Sequence, residues 1–504
     1  MSNPGKISTK PPSGMRDFLP EDVGRREHVI GVIKSVYGRY GFVPLETPTI
    51  ENLSTLLGKY GEEGDQLLYR LLHRRDGLGR AIEGVRSKYR EEEARLQERV
   101  GRGEVEALAE DARRKAGGPS PIDLAGDQML LADEGLRYDL TVPLARVVAQ
   151  YDLPKFFKRY QIQPVWRADR PGKGRFREFY QCDVDITGTT SMVAEAEVCA
   201  AVAEVLQGLG FKDFKIRVNH RQLLRAMMAT AGIDPSLEAA ALIAIDKLDK
   251  IGSGGVKDEL AARGISSEAA NTLLMLTITG DADVEAMFGG PRGPKAGVQR
   301  VRKQISDERG QKALGELELL FTLLEATPAG PHVTLSLDLA RGLGYYTGAI
   351  FEIAVADLAG SLGGGGRYDE LVGMFGKKQL PAVGFSLGLE RILVVMEERG
   401  MFPALSAGPD LLLCWMGVPL PDVLAAAHKL RAQGLKVEVY PEDAKLGKQL
   451  QYADSPGVRA PGVAIVGADE LKAGEVTIKH LKSGEQRRVA LAEAGAVVRG
   501  WPRG

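Results

Sequence analysis

The sequence predicts an α+β chain: a mixed, mainly antiparallel sheet domain with helical inserts, followed by a smaller α/β unit. Polar and apolar residues alternate from Phe156 to Thr187, as strands with two unlike faces require. Residues 222–328 are Ala/Leu-rich and helical in pattern, broken by Gly252–Ser253–Gly254–Gly255 and by Gly289 to Gly297. Beyond the linker-like Pro403 to Pro409, the pattern runs strand, helix, strand, helix, strand, which favours parallel strands joined by crossover helices.

The elements follow in order. Glu21 to Tyr40 carries Ile30, Ile33, Val36, Tyr37 and Tyr40 at helical spacing and stops at Gly41. Phe42 to Ile50 is extended, with Pro44 and Pro48 interrupting it. From about 74 to 120 the chain turns rich in Arg, Glu and Ala. That composition predicts a solvated helical insertion, closed by Gly117–Gly118–Pro119–Ser120–Pro121. Ala194 to Leu209 is a helix with Val198, Val202, Val205, Leu206 and Leu209 on one face. Strands are expected at Val333–Leu339 and Ala349–Val355, then a glycine run, then a strand-to-helix step over Ala382–Met396. In the last unit, strands are expected at Leu411–Trp415, Lys436–Tyr440 and Val463–Val466, with helices near 421–433 and 445–454. The predicted divisions are a domain of 1–221 and 329–402, a helical insertion of 222–328, and a unit of 408–504.

Composition excludes several classes. The 504 residues exceed one compact core, and 66 basic residues against 67 acidic ones exclude a globally basic nucleic-acid binder, though not a local basic face. Cys182, Cys199 and Cys414 form no CxxC unit, and the six histidines form no metal-binding cluster. These features, and an N-terminus without an apolar run, predict reduced thiols, a cytoplasmic location, no membrane segment and no protein-held metal.

The chemistry concentrates in Lys158 to Gly188, two alternating stretches around the polar loop Asp169–Gly174, which predicts an antiparallel hairpin. Gln181, Asp183, Asp185 and Thr187 share one face, and Gln161, Gln163 and Arg167 are in phase on the other strand. Such a face is either a solvated edge or a polar pocket. Arg167, Arg175 and Arg177 add positive charge at the loop end, where planar guanidinium forks suit carboxylate and phosphate oxygens. In Ala382–Ile392, Gly384 and Gly388 let backbone pass close to a ligand, and Arg391 falls in the first turn of a helix, where anions are favoured. In Leu339–Gly348, the glycines at 342, 344 and 348 imitate a dinucleotide fingerprint, but the following AIFEIAV alternates like a strand, which excludes that reading.

Together these segments resemble the histidyl-tRNA synthetases, within the class II aminoacyl-tRNA synthetases. GFVPLETPTIE (Gly41–Glu51, with Pro48), Trp166–Asp169 with Arg175 and Phe179, and Gly384–Arg391 are similar to the three class motifs. RYDLTVP (Arg137–Pro143), YQCDVD (Tyr180–Asp185), LARGLGYYTG and GGGRYDELV (Gly364–Val372) resemble segments peculiar to the family, and the C-terminal unit resembles its anticodon-binding domain. The resemblance implies a histidine–tRNA ligase using ATP and Mg2+, with histidine, ATP and tRNA as partners and a homodimer as the assembly. It implies that Arg167 and Arg341 contact the reacting carboxylate and α-phosphate, and that Asp169, Arg175, Phe179 and Arg391 serve ATP. It implies Asp139, Thr141 and Gln181 for the α-ammonium, Asp185 and Tyr346 for the imidazole nitrogens, and Tyr345 lining the pocket. Asp169 stands where most class II motifs carry glutamate, and Gly344 where aspartate is usual. The rival reading is a synthetase-like regulatory subunit or histidine/RNA sensor without charging activity; the presence of Arg167, Arg175, Arg341 and Arg391 speaks against it.

Overall fold

The computed structural model describes residues 8–58, 61–72, 76–102, 132–279, 293–340, 344–358, 360–376, 378–403 and 408–501. The chain divides into two compact units, Met1–Arg16 with Val29–Arg399, and Asp17–His28 with Gly400–Gly504.

The first unit is built on an eight-stranded sheet. Its chain supplies β1 (Val43–Pro44), β2 (Ile50–Asn52), β3 (Arg70–Leu72), β4 (Ala132–Leu136), β5 (Phe157–Trp166), β6 (Glu178–Thr187), β7 (Lys215–His220), β8 (Val333–Leu335), β9 (Ala349–Ala354), β10 (Ser361–Arg367) and β11 (Ala382–Gly388). The sheet order is β1-β5-β6-β11-β10-β9-β7-β8, with β2, β4 and β3 forming a small separate sheet. Only β1–β5 and β7–β8 pair parallel; the rest of the large sheet is antiparallel. The helix Pro20–Arg39 buries Val29, Ile33, Val36 and Tyr37, a stripe of one face. The helix Met192–Gly208 starts at Ser191, whose hydroxyl accepts from the Val193 amide, and buries Val198, Val202, Val205 and Leu206.

Three details differ from the sequence expectation. β8 ends at Leu335, because the buried Asn219 amide donates to the carbonyls of Leu337 (3.2 Å) and Leu339 (3.0 Å), which a longer strand would have used in its ladder. The Gly252 break is a kink (φ 67°) inside the helical span Leu248–Ala262. The glycine run is itself the central strand β10. A Cβ on Gly365 would stand 2.1 Å from the Gly384 carbonyl oxygen, so the neighbouring backbone comes closer than a side chain allows.

Within 222–328 the described helices are Arg221–Thr230, Glu238–Ile245, Leu248–Ala262, Ser267–Thr279, Pro294–Arg302 and Glu308–Leu324. Of the charged insertion, Asp76–Gly101 is one helix whose Arg86–Glu83 pair stands in solvent; the Gly117–Pro121 breaker lies outside the described residues.

The second unit holds a five-stranded sheet of β12 (Leu411–Trp415), β13 (Val437–Val439), β14 (Gly462–Val466), β15 (Glu475–His480) and β16 (Gln486–Ala490), in the order β13-β12-β14-β15-β16. The first three are parallel, with the helices Leu420–Arg431 and Leu446–Ala453 as crossovers, and β15 and β16 add an antiparallel edge beyond the sequence expectation. Gln449 is fully buried there: its oxygen accepts from the Trp415 amide (3.0 Å), and its nitrogen donates to the carbonyls of Trp415 (2.8 Å) and Ala444 (2.7 Å). Gln449→Leu is therefore expected to lower stability by about 1–3 kcal/mol, because three backbone groups lose a partner in a dry interior. Denaturant unfolding of the full chain checks this, and an unchanged midpoint would count against it. Among the described residues, no helix is long and apolar enough to cross a membrane.

Candidate active site

The site grows from strand register. In the β5–β6 hairpin Arg159 faces Asp185, Gln161 faces Asp183 and Gln163 faces Gln181; across β6–β11, Asp185 faces Gly384, Asp183 faces Ser386 and Gln181 faces Gly388. Gly384 in turn faces Gly366 on β10. A cross-strand row therefore reads Arg159, Asp185, Gly384, Gly366: charge on one side, bare backbone on the other. Alternation along each strand sends Gln181, Asp183 and Asp185 to the same face, as the sequence expectation had it.

All these polar groups are buried. Arg159 is 0% exposed and Asp183 and Asp185 are each 2% exposed, so the face is not a solvated edge. The Arg159 guanidinium lies 2.9 Å from the Asp185 carboxylate and 3.7 Å from that of Asp183, and it donates to the Leu140 carbonyl. The Tyr368 hydroxyl donates to Asp185 Oδ1. The Gln181 amide donates to Ser386 Oγ (2.7 Å). Asp139 accepts from the Val142 amide (3.0 Å), at the start of the helix Thr141–Gln150, and from the Tyr345 hydroxyl (3.0 Å). Tyr346 packs edge-on against Tyr345, ring centres 5.0 Å apart.

Burial raises the pKa of both Asp183 and Asp185 above the usual carboxylate range, while the adjacent Arg159 opposes the rise. The Tyr368 hydroxyl and Ser386 also favour the ionised forms of Asp185 and Asp183 respectively. Burial raises the Tyr346 and Tyr368 phenols, so both are hydrogen-bond donors at neutral pH. Asp183 and Asp185 face one guanidinium, with Asp139 close enough to act on both electrostatically, a surplus of carboxylates that suits a cationic guest. Gln181 Oε1, Asp183 Oδ1 and Asp185 Oδ2 have no protein hydrogen-bond partner, Oδ2 being met by Arg159 only as an ion pair.

At the loop end, the Arg167 guanidinium donates to the Tyr138 carbonyl (3.1 Å) and lies over the rings of Tyr138 (4.3 Å) and Phe179 (5.1 Å), an arrangement that holds a planar cation in place. Asp169 accepts two bonds from Arg175, at 3.1 and 3.0 Å, yet the Arg175 side chain stays 55% exposed. Arg391, in the first turn of the helix Leu389–Glu398, donates to the carbonyls of Ser361 and Gly174, which ties it to the loop bearing Arg175. Glu390 beside it accepts from the Tyr180 amide (2.9 Å).

Of the residues expected from sequence, Asp139, Gln181, Asp185, Tyr345 and Tyr346 thus come together, and Arg167, Phe179, Asp169, Arg175 and Arg391 gather about the loop end. Thr141 opens the helix beside Asp139, and Arg341 lies outside the described residues. Sequence reasoning missed Arg159, Tyr368 and Ser386. Arg159 carried a usable signal, being in phase with Gln161 and Gln163; Tyr368 carried only its place in GGGRYDELV. AIFEIAV begins β9 immediately after Gly348, so no helix follows the glycines of that segment.

Comparisons with known proteins bear on the family and the fold. The sequence model of the histidyl-tRNA synthetases matches residues 123–392, and that of an anticodon binding domain matches residues 420–501. Sheet, site and C-terminal unit together define a class II aminoacyl-tRNA synthetase. The histidine–tRNA ligase of Christiangramia forsetii is 39% identical over 482 residues, covering 94% of this chain and 96% of that protein. The histidine–tRNA ligase of Cytophaga hutchinsonii is 40% identical over 490 residues, covering 96% and 97%. The crystal structure of histidyl-tRNA synthetase from Nostoc sp. PCC 7120 superposes with a TM-score of 0.73 at 29% identity, covering 98% of this chain and 99% of that one. The chain belongs to the histidyl-tRNA synthetase family.

Proposed function

We propose that this chain is a histidine–tRNA ligase, activating histidine with ATP and passing it to the 3′ end of its tRNA. The buried carboxylate-rich face beside a glycine floor carries the reading. It offers acceptors to an α-ammonium and an imidazole N–H, while the arginines of the loop end offer donors to phosphate.

In the first step the carboxylate of histidine attacks the α-phosphorus of ATP and pyrophosphate leaves; in the second a ribose hydroxyl of the tRNA displaces AMP. Neither step needs a protein nucleophile. Positioning and charge stabilisation carry both. Arg167, packed on the rings of Tyr138 and Phe179, and Arg341 would hold the reacting carboxylate and α-phosphate. Arg175 and Arg391 would hold the outer phosphates, Arg175 by exchanging Asp169 for phosphate oxygen, and Phe179 would stack on the adenine side. Asp139, Thr141 and Gln181 would take the α-ammonium. Asp185 and Tyr346 would meet the two imidazole nitrogens, with Tyr345 fixing Asp139. Mg2+ would arrive with the nucleotide. It would be held chiefly by phosphate oxygens and water, and would supply positive charge to the phosphates. We assign 1–221 with 329–402 to catalysis, 222–328 to an insertion and 408–504 to anticodon binding, in a cytoplasmic homodimer.

Pyrophosphate exchange with each of the twenty amino acids, followed by charging of purified tRNA, tests the proposal. Histidine alone should support exchange. Exchange without charging would favour the sensor reading, and exchange with another amino acid would overturn the specificity. Arg391→Ala is expected to raise the KM for ATP about 10- to 100-fold and leave the KM for histidine nearly unchanged, since a charged fork to phosphate is lost far from the amino-acid face. A rise in the histidine KM alone would remove Arg391 from the nucleotide site.

A further inference from the structure

We propose that Arg159 is a positioning residue for histidine recognition: wedged between Asp183 and Asp185, it orients the Asp185 carboxylate so that it accepts from the imidazole. The proposal rests on the reading of Asp185 as an imidazole partner.

Arg159 has no access to solvent, and it reaches its position because β5 pairs with β6 in the register that sets it opposite Asp185. Its guanidinium meets Asp185 Oδ2 at 2.9 Å, while the Tyr368 hydroxyl holds Oδ1. Tyr368 thus holds one oxygen by a hydrogen bond, and the Arg159 charge stands against the other as an ion pair. Two aspartates on one buried face would otherwise share a proton, because like charges in a dry site cannot both ionise. A guanidinium against both opposes that protonation. The titratable groups acting on the pair from other elements are Tyr37, Asp139, Tyr346 and Tyr368; burial holds the Tyr37 phenol neutral, and Tyr346 and Tyr368 are neutral donors. Arg159 is therefore the cation that decides the charge of the face. Its Nε and Nη1 have no hydrogen-bond partner in the protein, so the guanidinium is not saturated by a purely structural network.

The test is steady-state pyrophosphate exchange between pH 6.5 and 8.5, giving kcat and the KM values for histidine and ATP. Arg159→Met should raise the histidine KM about tenfold or more near pH 7, with the ATP KM unchanged. The penalty relative to the parent should shrink as pH rises, because ionising the aspartates restores the acceptor. Arg159→Lys should recover most of the loss. Should Arg159→Met fail to fold, the double variant Arg159→Met/Asp183→Asn removes both charges together and should still show the raised, pH-dependent histidine KM. A double variant with the parent's histidine KM and pH profile overturns the proposal, as does a penalty shared equally by ATP and histidine at every pH. Asp185→Ala in the same assay separates the two readings. If it is harmless, the assignment of Asp185 itself fails; if it is inactive while the Arg159 variants match the parent, only the role of Arg159 fails.

Discussion

Asp185→Ala should lower kcat/KM for histidine in pyrophosphate exchange by about a thousandfold or more. The magnitude follows from what the side chain leaves behind. A site built to hydrogen-bond a polar group discriminates strongly because losing one partner strands the other in a dry environment. Here three partners are stranded: the imidazole N–H, the Tyr368 hydroxyl, and the Arg159 guanidinium, whose nearest carboxylate is the 2.9 Å contact to Asp185. Left with only the longer 3.7 Å contact to Asp183, the arginine should destabilise the fold by up to about 3 kcal/mol, so exchange and unfolding should be measured on the same preparation. Asp185→Asn separates the effects by keeping the shape while halving the acceptor capacity; it should retain more stability than Asp185→Ala and still lose histidine selectivity. Near-normal exchange in Asp185→Ala would remove this residue from the pocket.

The second large effect comes from a residue with no side chain. Gly384 lies opposite Asp185, and a Cβ there would stand 1.9 Å from Asp185 Oδ1 and 2.6 Å from its Cγ. Gly384→Ala must therefore push the carboxylate off the glycine floor and out of its place against Tyr368. The expected result is about a hundredfold loss in kcat/KM for histidine and about 1–3 kcal/mol of stability, with a smaller change in the ATP KM. Gly315, on the helix Glu308–Leu324, has no atom within 4 Å of its would-be Cβ, so Gly315→Ala is the matched control and should be neutral or slightly stabilising. If Gly384→Ala keeps the parent's histidine KM, the carboxylate does not need its observed orientation.

These expectations show where local pattern was informative. Period-2 alternation assigned Gln181, Asp183 and Asp185 to one face without any tertiary knowledge, and the strand-to-helix step at Gly388–Leu389 put Arg391 in a first turn. Arg159 escaped because β5 and β6 are joined by a long connection, residues 167–177, and no short turn sets the register that makes Arg159 the partner of Asp185. The run Gly363–Gly366 read as punctuation, whereas close strand approach makes it the middle of a sheet.

By itself the sequence determined the kinds of group available and the side of each element they occupy, because side-chain direction follows from backbone period alone. Only the tertiary structure decided which groups meet: Tyr368 with Asp185, Tyr345 with Asp139, Arg159 with two carboxylates. Those pairings join residues remote in the chain. They hold because a charge or hydroxyl withdrawn from water must find its complement inside the protein, and that complement is supplied by the packing of distant strands.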